Sequence, residues 1–137
     1  MADRDNSLEL AVCAAHAAAD LKASDVIVID VGDVLSITGY FVIAGGSNPR
    51  QVRAIVDDVE AKVKAAFGRS PLRIEGVREQ QWTLIDYGDV VVHVFLDSVR
   101  EFYEIERLYR DAPRVDWEQL SPTGTSADDV SSTATDE

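Results

Sequence analysis

Side chains able to do chemistry are few in this sequence, and their spacing rarely brings them together. Gly45-Gly46-Ser47 follows an aliphatic run and precedes a helix start. That is the setting of a phosphate loop, because backbone N–H groups at a helix N-terminus attract anions. Neither G-x-G-x-x-G nor the Lys-Ser/Thr ending of a P-loop is present, and helix initiation explains the turn as well. Paired acids beyond such a Gly-Ser would suggest a nucleotidyltransferase holding two magnesium ions. The acids at that distance, Asp57 and Asp58, are consecutive on a predicted helix. They point in different directions and cannot clamp a metal pair. Asp30 with Asp33, and Asp86 with Asp89, sit where acids shape turns. His93 with Asp86 could make a base and its orienter, but no Ser or Cys nucleophile is placed beside them. Cys13 reads as a small buried residue of an Ala-rich helix, and His16 as partly buried or superficial. No catalytic set, cofactor or metal is expected.

Composition narrows the class. The 137 residues are 46% hydrophobic and 28% charged, which fits one domain over 1–120 followed by a disordered acidic tail over 121–137. A lone cysteine excludes a disulfide framework, and Cys and His are too few for a structural zinc site. No apolar run approaches the ~20 residues of a membrane helix. Met1-Ala2-Asp3-Arg4-Asp5 lacks the features of a secretion signal, so a soluble cytoplasmic protein is expected. The net charge is −12. The tail holds four acids and no base, so residues 1–120, with thirteen bases against 21 acids, keep −8. Such a chain is a poor direct partner for nucleic acid and a better one for a basic protein.

The positioning elements follow from periodicity and punctuation. Asn6 or Ser7 is placed to cap a first helix reaching about Leu21, with Glu9 closing a capping box. Val26–Ile29 and Tyr40–Ala44 read as strands. Asn48-Pro49-Arg50-Gln51 opens the clearest helix: Val52, Ile55, Val56, Val59, Val63 and Phe67 form its stripe, and Gly68 ends it. Leu72–Ile74 is a weaker strand. Gln81–Tyr87 and Val90–Leu96 form a hairpin across Gly88-Asp89. Ser98-x-x-Glu101 starts a last helix whose apolar side would be Phe102, Ile105, Leu108 and Tyr109, stopped by Asp111-Ala112-Pro113. Trp117 falls in a short appendage. Three main helices against five strands predict an α+β layered fold with a mixed sheet.

Residues paired across a hairpin project to one side. With Gly88-Asp89 as the loop, Leu84 opposes His93 and Trp82 opposes Phe95. With Tyr87-Gly88 as the loop, Trp82 opposes His93. Either register gathers Trp82, Leu84, Asp86, Val91, His93 and Phe95 on one face and leaves an aliphatic set, with Tyr87, on the other. The mixed face is either a satisfied His–Asp pair beneath a helix or a partly exposed aromatic and polar patch. The second reading makes it a binding face.

These residues also carry a family resemblance. Tyr40-Phe41-Val42-Ile43-Ala44, Gly46-Ser47, Gln51-Val52 and Ala54-Ile55 form one block. Glu75-Gly76, Trp82, Leu84, Asp86 through Phe95, Arg100, Phe102-Tyr103, Glu106-Arg107-Leu108 and Asp111-Ala112 form a more specific second. Over roughly residues 7–117 the chain resembles the Iojap-related ribosomal silencing factors. Gly39, where an acid is usual, and Gln80, where a small residue is usual, depart from that pattern. The resemblance implies a nucleotidyltransferase-like fold without catalytic residues or cofactor. It implies a non-enzymatic repressor of translation that binds the fourteenth protein of the large ribosomal subunit and blocks joining of the small one, and a homodimer when free. It points to Trp82, Leu84, Asp86, Tyr87 and His93 as partner-binding residues, then Arg100, Tyr103 and Glu106.

Overall fold

Aliphatic runs that bury both faces of a strand need layers on either side, and the chain supplies them unequally. The computed structural model describes residues 2–32, 35, 38–77 and 81–121, with side chains from residue 7 onward. Its elements are α1 (Ala2–Asp20), β1 (Ser24–Asp30), β2 (Tyr40–Gly46), α2 (Pro49–Phe67), β3 (Arg73–Glu75), β4 (Trp82–Asp86), β5 (Val90–Leu96), α3 (Asp97–Tyr103), α4 (Ile105–Leu108) and β6 (Arg114–Val115), then a 3-10 turn at Trp117–Gln119. The sheet order is β3-β4-β5-β2-β1-β6. Only β2 and β5 run parallel; the other neighbours are antiparallel, so the sheet is mixed.

The expected α+β layering is present, with six strands among the described residues in place of five. The extra strand, β6, is two residues long, too short for propensity to reveal, and pairs Val28 with Val115. It is secured by Trp117, which is buried and whose indole N–H donates to the Val26 carbonyl at 3.0 Å. His16 stands edge-on to that indole and contacts the Leu120 carbonyl through Nε2 at 2.7 Å.

One sheet face is sealed by α1 and α2. Leu10 through Ala15 are buried without interruption, as in a helix packed on all sides. Cys13 is among them, and burial raises its thiol pKa. Along α2 the stripe Val52, Ile55, Val56, Val59 and Val63 is buried as its spacing predicts. Asn48 Oδ1 accepts the Gln51 N–H at 2.8 Å, and Gly68 closes the helix at φ 67°. Gln51 then does more than cap: its Oε1 accepts the Ser47 N–H, and its Nε2 donates to the Leu21 and Lys22 carbonyls, which lead from α1 into β1. The hairpin turn is held to the same layer. Asp89 accepts hydrogen bonds from the Ser7 hydroxyl and the Arg69 guanidinium. Burial works to raise its carboxyl pKa, but these donors prevail and lower it.

Two helix boundaries differ from expectation. α1 begins at Ala2, so Ser7 lies inside it and spends its hydroxyl on Asp89 rather than on a cap. The last helix is interrupted at Glu104, which adopts φ 47°, ψ 50° and separates α3 from α4. Neither Asp97 nor Ser98 caps α3, which starts straight from β5 after Leu96; the Asp97 carboxylate accepts the Ser24 hydroxyl instead. The interruption turns Ile105 onto the sheet and leaves Phe102 and Leu108 outside, 79% and 77% exposed, so the predicted apolar side is only half buried. Asp33, Gln80 and the tail from residue 122 lie outside the described residues.

Candidate functional site

The second sheet face is covered over only part of its width. Ile105, Val99, Tyr109, Ala112 and Leu35 pack on Ile29, Val31, Phe41, Ile43 and Phe95, which covers β1, β2 and β5. Toward β4 and β3 the cover thins. Pairing follows the Gly88-Asp89 register: Trp82 opposes Phe95, Leu84 opposes His93, Asp86 opposes Val91. β3 extends the same face with Arg73 beside Asp86 and Glu75 beside Leu84.

Trp82 is the centre of this region. Its ring stacks on Phe95 at 4.7 Å, and Tyr103 lies 5.1 Å away at a tilt. Its indole N–H donates to His93 Nδ1 at 3.2 Å. Tyr103 is 52% exposed, while Trp82, Leu84 and Asp86 are partly exposed. These four, with Arg73, make a strip that is apolar in the middle and charged at its border.

The His93–Asp86 pairing that the sequence left open as one of two readings does not form. His93 is only 3% exposed, set between the Trp82 indole and the edge of Phe41 at 4.6 Å. Burial lowers its pKa to about 4, so the ring is neutral at pH 7. With Nδ1 accepting from Trp82, the proton resides on Nε2, which has no hydrogen-bond partner among the described residues. Asp86 instead accepts Arg73 Nε at 3.1 Å through one oxygen and the Gly88 N–H at 2.8 Å through the other, shaping its turn. The face is therefore neither a covered His–Asp pair nor an open patch throughout: the imidazole is inside and the carboxylate outside.

Three residues expected at the surface lie within. Tyr87 is 2% exposed on the helix-covered face, with its hydroxyl lacking a partner among the described residues and its pKa raised by burial. Alternation along β4 and β5 put it there, and the turn position does not bring it out. Arg100 is 7% exposed and ties α3 to β1, donating to the Ser24 and Asp25 carbonyls at 2.9 and 2.7 Å and to Glu106 at 3.3 Å. Glu106 is partly exposed and engaged with Arg100. His93 is the third. Sequence reasoning missed Arg73, Phe102 and Leu108 as surface features. A signal existed for Phe102, since it and Tyr103 are adjacent and cannot both face a core.

Beside α3 an open hollow of about 670 Å³ is lined by Asp25, Asp97, Glu101, Glu104 and Glu106 around the single base Arg100. At the other candidate, Gly45 and Gly46 are buried within β2. A Cβ on Gly45 would run into the Asp97 carboxylate, and one on Gly46 would lie 3.0 Å from Val52 Cγ2. Close packing thus accounts for both glycines, and Gln51 Oε1 already occupies the Ser47 N–H. Asp57 and Asp58 pair separately with Arg53 and Lys62. Among the described residues no three His, Cys, Asp or Glu side chains come together as metal ligands, and no helix is long and apolar enough to cross a membrane.

A mixed α+β sheet with one sealed face and one half-covered, aromatic face defines the structural class. Comparison with known proteins then gives the family. The profile described as "Ribosomal silencing factor during starvation" matches residues 4–137. The chain is 39% identical over 110 residues to the ribosomal silencing factor of Halalkalibacterium halodurans, covering 80% of this chain and 93% of that one. It is 34% identical over 114 residues to the chloroplastic Iojap protein of Arabidopsis thaliana, covering 83% of this chain and 47% of that one. A crystal structure from Chromobacterium violaceum superposes with a TM-score of 0.70 at 39% identity, covering 74% of this chain and 83% of that chain. The chain belongs to the ribosomal silencing factor family.

Proposed function

We propose that this protein silences translation in the cytoplasm by docking on the large ribosomal subunit and standing in the way of the small one. The docking strip comprises Trp82, Leu84, Asp86 and Tyr103; Glu106, engaged with Arg100, belongs to the acid-lined hollow beside α3. Its partner is a basic protein of the large subunit, the fourteenth of its series as the resemblance noted in the sequence implies. His93, Arg100 and Tyr87 serve from behind this strip rather than in it. The observation that carries the reading is an indole fixed on three sides yet partly open to solvent, in a family of ribosomal silencing factors. Aromatic anchors of this kind dominate protein interfaces. The acid-lined hollow beside α3 and the −12 net charge favour encounter with a cationic surface. When free, the chain pairs with a second copy. The mode of action is steric and needs no bond chemistry.

Trp82→Glu tests it. The variant is expected to lose sedimentation with large subunits while its circular dichroism and unfolding remain those of a folded chain. Loss of an anchor of about 2 kcal/mol or more corresponds to roughly thirty-fold in affinity. Binding at undiminished strength would remove the strip from consideration.

A further inference from the structure

We infer that His93 is the positioning residue of the docking strip: it takes no part in contact with the partner and holds the Trp82 ring, through its N–H, in the orientation that docking requires. The inference rests on the docking function proposed above.

The geometry makes the case. Stacking on Phe95 and the flank of Tyr103 set the plane of the Trp82 indole. An aromatic stack accepts either face of the ring, however, and so does not by itself fix which way the N–H points. A hydrogen bond from its one polar atom is directional and selects a single placement. That bond ends on His93 Nδ1, which lies one strand away on the sheet and is itself locked between the Phe41 edge and the Phe95 ring plane. The acceptor is neutral at pH 7 and nearly free of solvent, so water does not compete for the bond. A histidine is otherwise poorly suited to this place. Its Nε2–H is buried without a described partner, an arrangement that a phenylalanine would avoid. The site tolerates that unmet donor while using the opposite nitrogen, and the only described group to which it is hydrogen bonded is Trp82. Exposure separates the two roles: the histidine is out of a partner's reach, and the tryptophan is within it.

A double-mutant cycle with an independent spectroscopic readout tests this. Trp82→Phe keeps a ring but removes the N–H; His93→Phe keeps the volume but removes the acceptor; His93→Asn places an amide oxygen near the position of Nδ1. At pH 7 His93→Phe is expected to weaken sedimentation with purified large subunits on the order of ten-fold. Trp82→Phe is expected to weaken it similarly, the double variant no further, and His93→Asn to recover most of the loss. In ¹H–¹⁵N spectra of the free chain, the Trp82 indole signal should move in His93→Phe. The Trp117 signal, whose N–H is bonded to the Val26 carbonyl, should stay in place. Additive losses in the cycle, a Trp82 signal indifferent to His93, or full-strength binding by a folded His93→Phe chain would each overturn the inference. A Trp82 signal that follows His93 in a chain that never sediments with large subunits would instead overturn the docking function and leave the tie between the two rings standing.

Discussion

The two faces of one sheet obey different rules here, and residues 84 and 85, adjacent on β4, show how. Ile85 points into the layer beneath α1 and α2, among Val90, Val92 and Val94, where no surface remains exposed. Leu84 points the other way, opposite a buried histidine and beside Glu75, partly in water. The first face is aliphatic, closely packed and tied at its helix ends. The second contains a neutral imidazole with an unmet donor, a left-handed glutamate and two large apolar side chains in solvent. The helix-covered face holds one such feature of its own, the Tyr87 hydroxyl with no partner among the described residues, but it stays buried. The break at Glu104 and the exposed Phe102 and Leu108 lie on the face where a partner is expected.

The sharpest test of this division is to truncate the two neighbours. Ile85→Ala is expected to lower unfolding free energy by about 3 kcal/mol, within the range for aliphatic deletion in a closed core. Leu84→Ala is expected to cost less than about 1 kcal/mol, because its site is already open to water. Denaturant titration measures both. Large-subunit sedimentation should respond in reverse, weakened by Leu84→Ala and unchanged for the folded fraction of Ile85→Ala. Equal stability losses would erase the contrast between the faces.

Acid should separate the faces next. The His93 pKa falls from 6.5 to about 4 on folding, with burial as its cause. The unfolded chain therefore binds the extra proton first, and stability declines as pH drops from about 6.5 toward 4, where the decline ends. At pH 5 the loss is on the order of 2 kcal/mol. Neighbours facing the ring are Phe41 and Ile43 from β2, Trp82 and Leu84 from β4 and Phe95 from β5. The charged groups of that face, Asp86 and Glu75, are engaged with Arg73. Unfolding measured from pH 7 to 5 should fall less steeply in His93→Phe than in the parent, and parallel slopes would show that the imidazole is not buried neutral.

The contrast was unevenly legible in the sequence. α2 was readable in full because each signal is local: Asn48, Pro49, the valine stripe and Gly68 all act within a few residues of themselves. The hairpin and its two faces followed from alternation alone, including the company of Trp82, Leu84 and His93. What alternation lacks is depth. It assigns His93 and Asp86 to one face but does not say that Phe41, from a strand over fifty residues earlier, caps the imidazole while Arg73 draws the carboxylate outward. Arg100 was legible as a charge near the strip and not as a clamp, since its acceptors are backbone carbonyls of β1, which have no side-chain signature. β6 was hidden for the same reason: two residues on an edge owe their pairing to Trp117 and to the end of α4, and to nothing in their own types.

The smallest effect concerns Glu104, where the half-covered face departs furthest from local preference. A non-glycine residue at φ 47° is held in the left-handed region, which costs an L-residue roughly 1–2 kcal/mol. Its N–H still closes α3 on the Arg100 carbonyl, and its carboxylate reaches Arg107 at 3.1 Å, an exposed pair of small value. Glu104→Gly removes the steric penalty and that ion pair together, and gives the unfolded chain more freedom. These contributions oppose one another, and the expected balance is a gain of about 0.5 kcal/mol in thermal unfolding. The bend itself should persist, because Ile105 is still drawn onto Phe41 and Ile29 and Arg100 still holds α3 to β1. Binding to large subunits should then be unchanged. A variant that is more stable but binds less would mean that the glutamate, beside the exposed Tyr103, belongs to the strip after all. A variant that is less stable would mean that the Arg107 pair outweighs the strain, and that the break between the two short helices is held by charge rather than by the burial of Ile105.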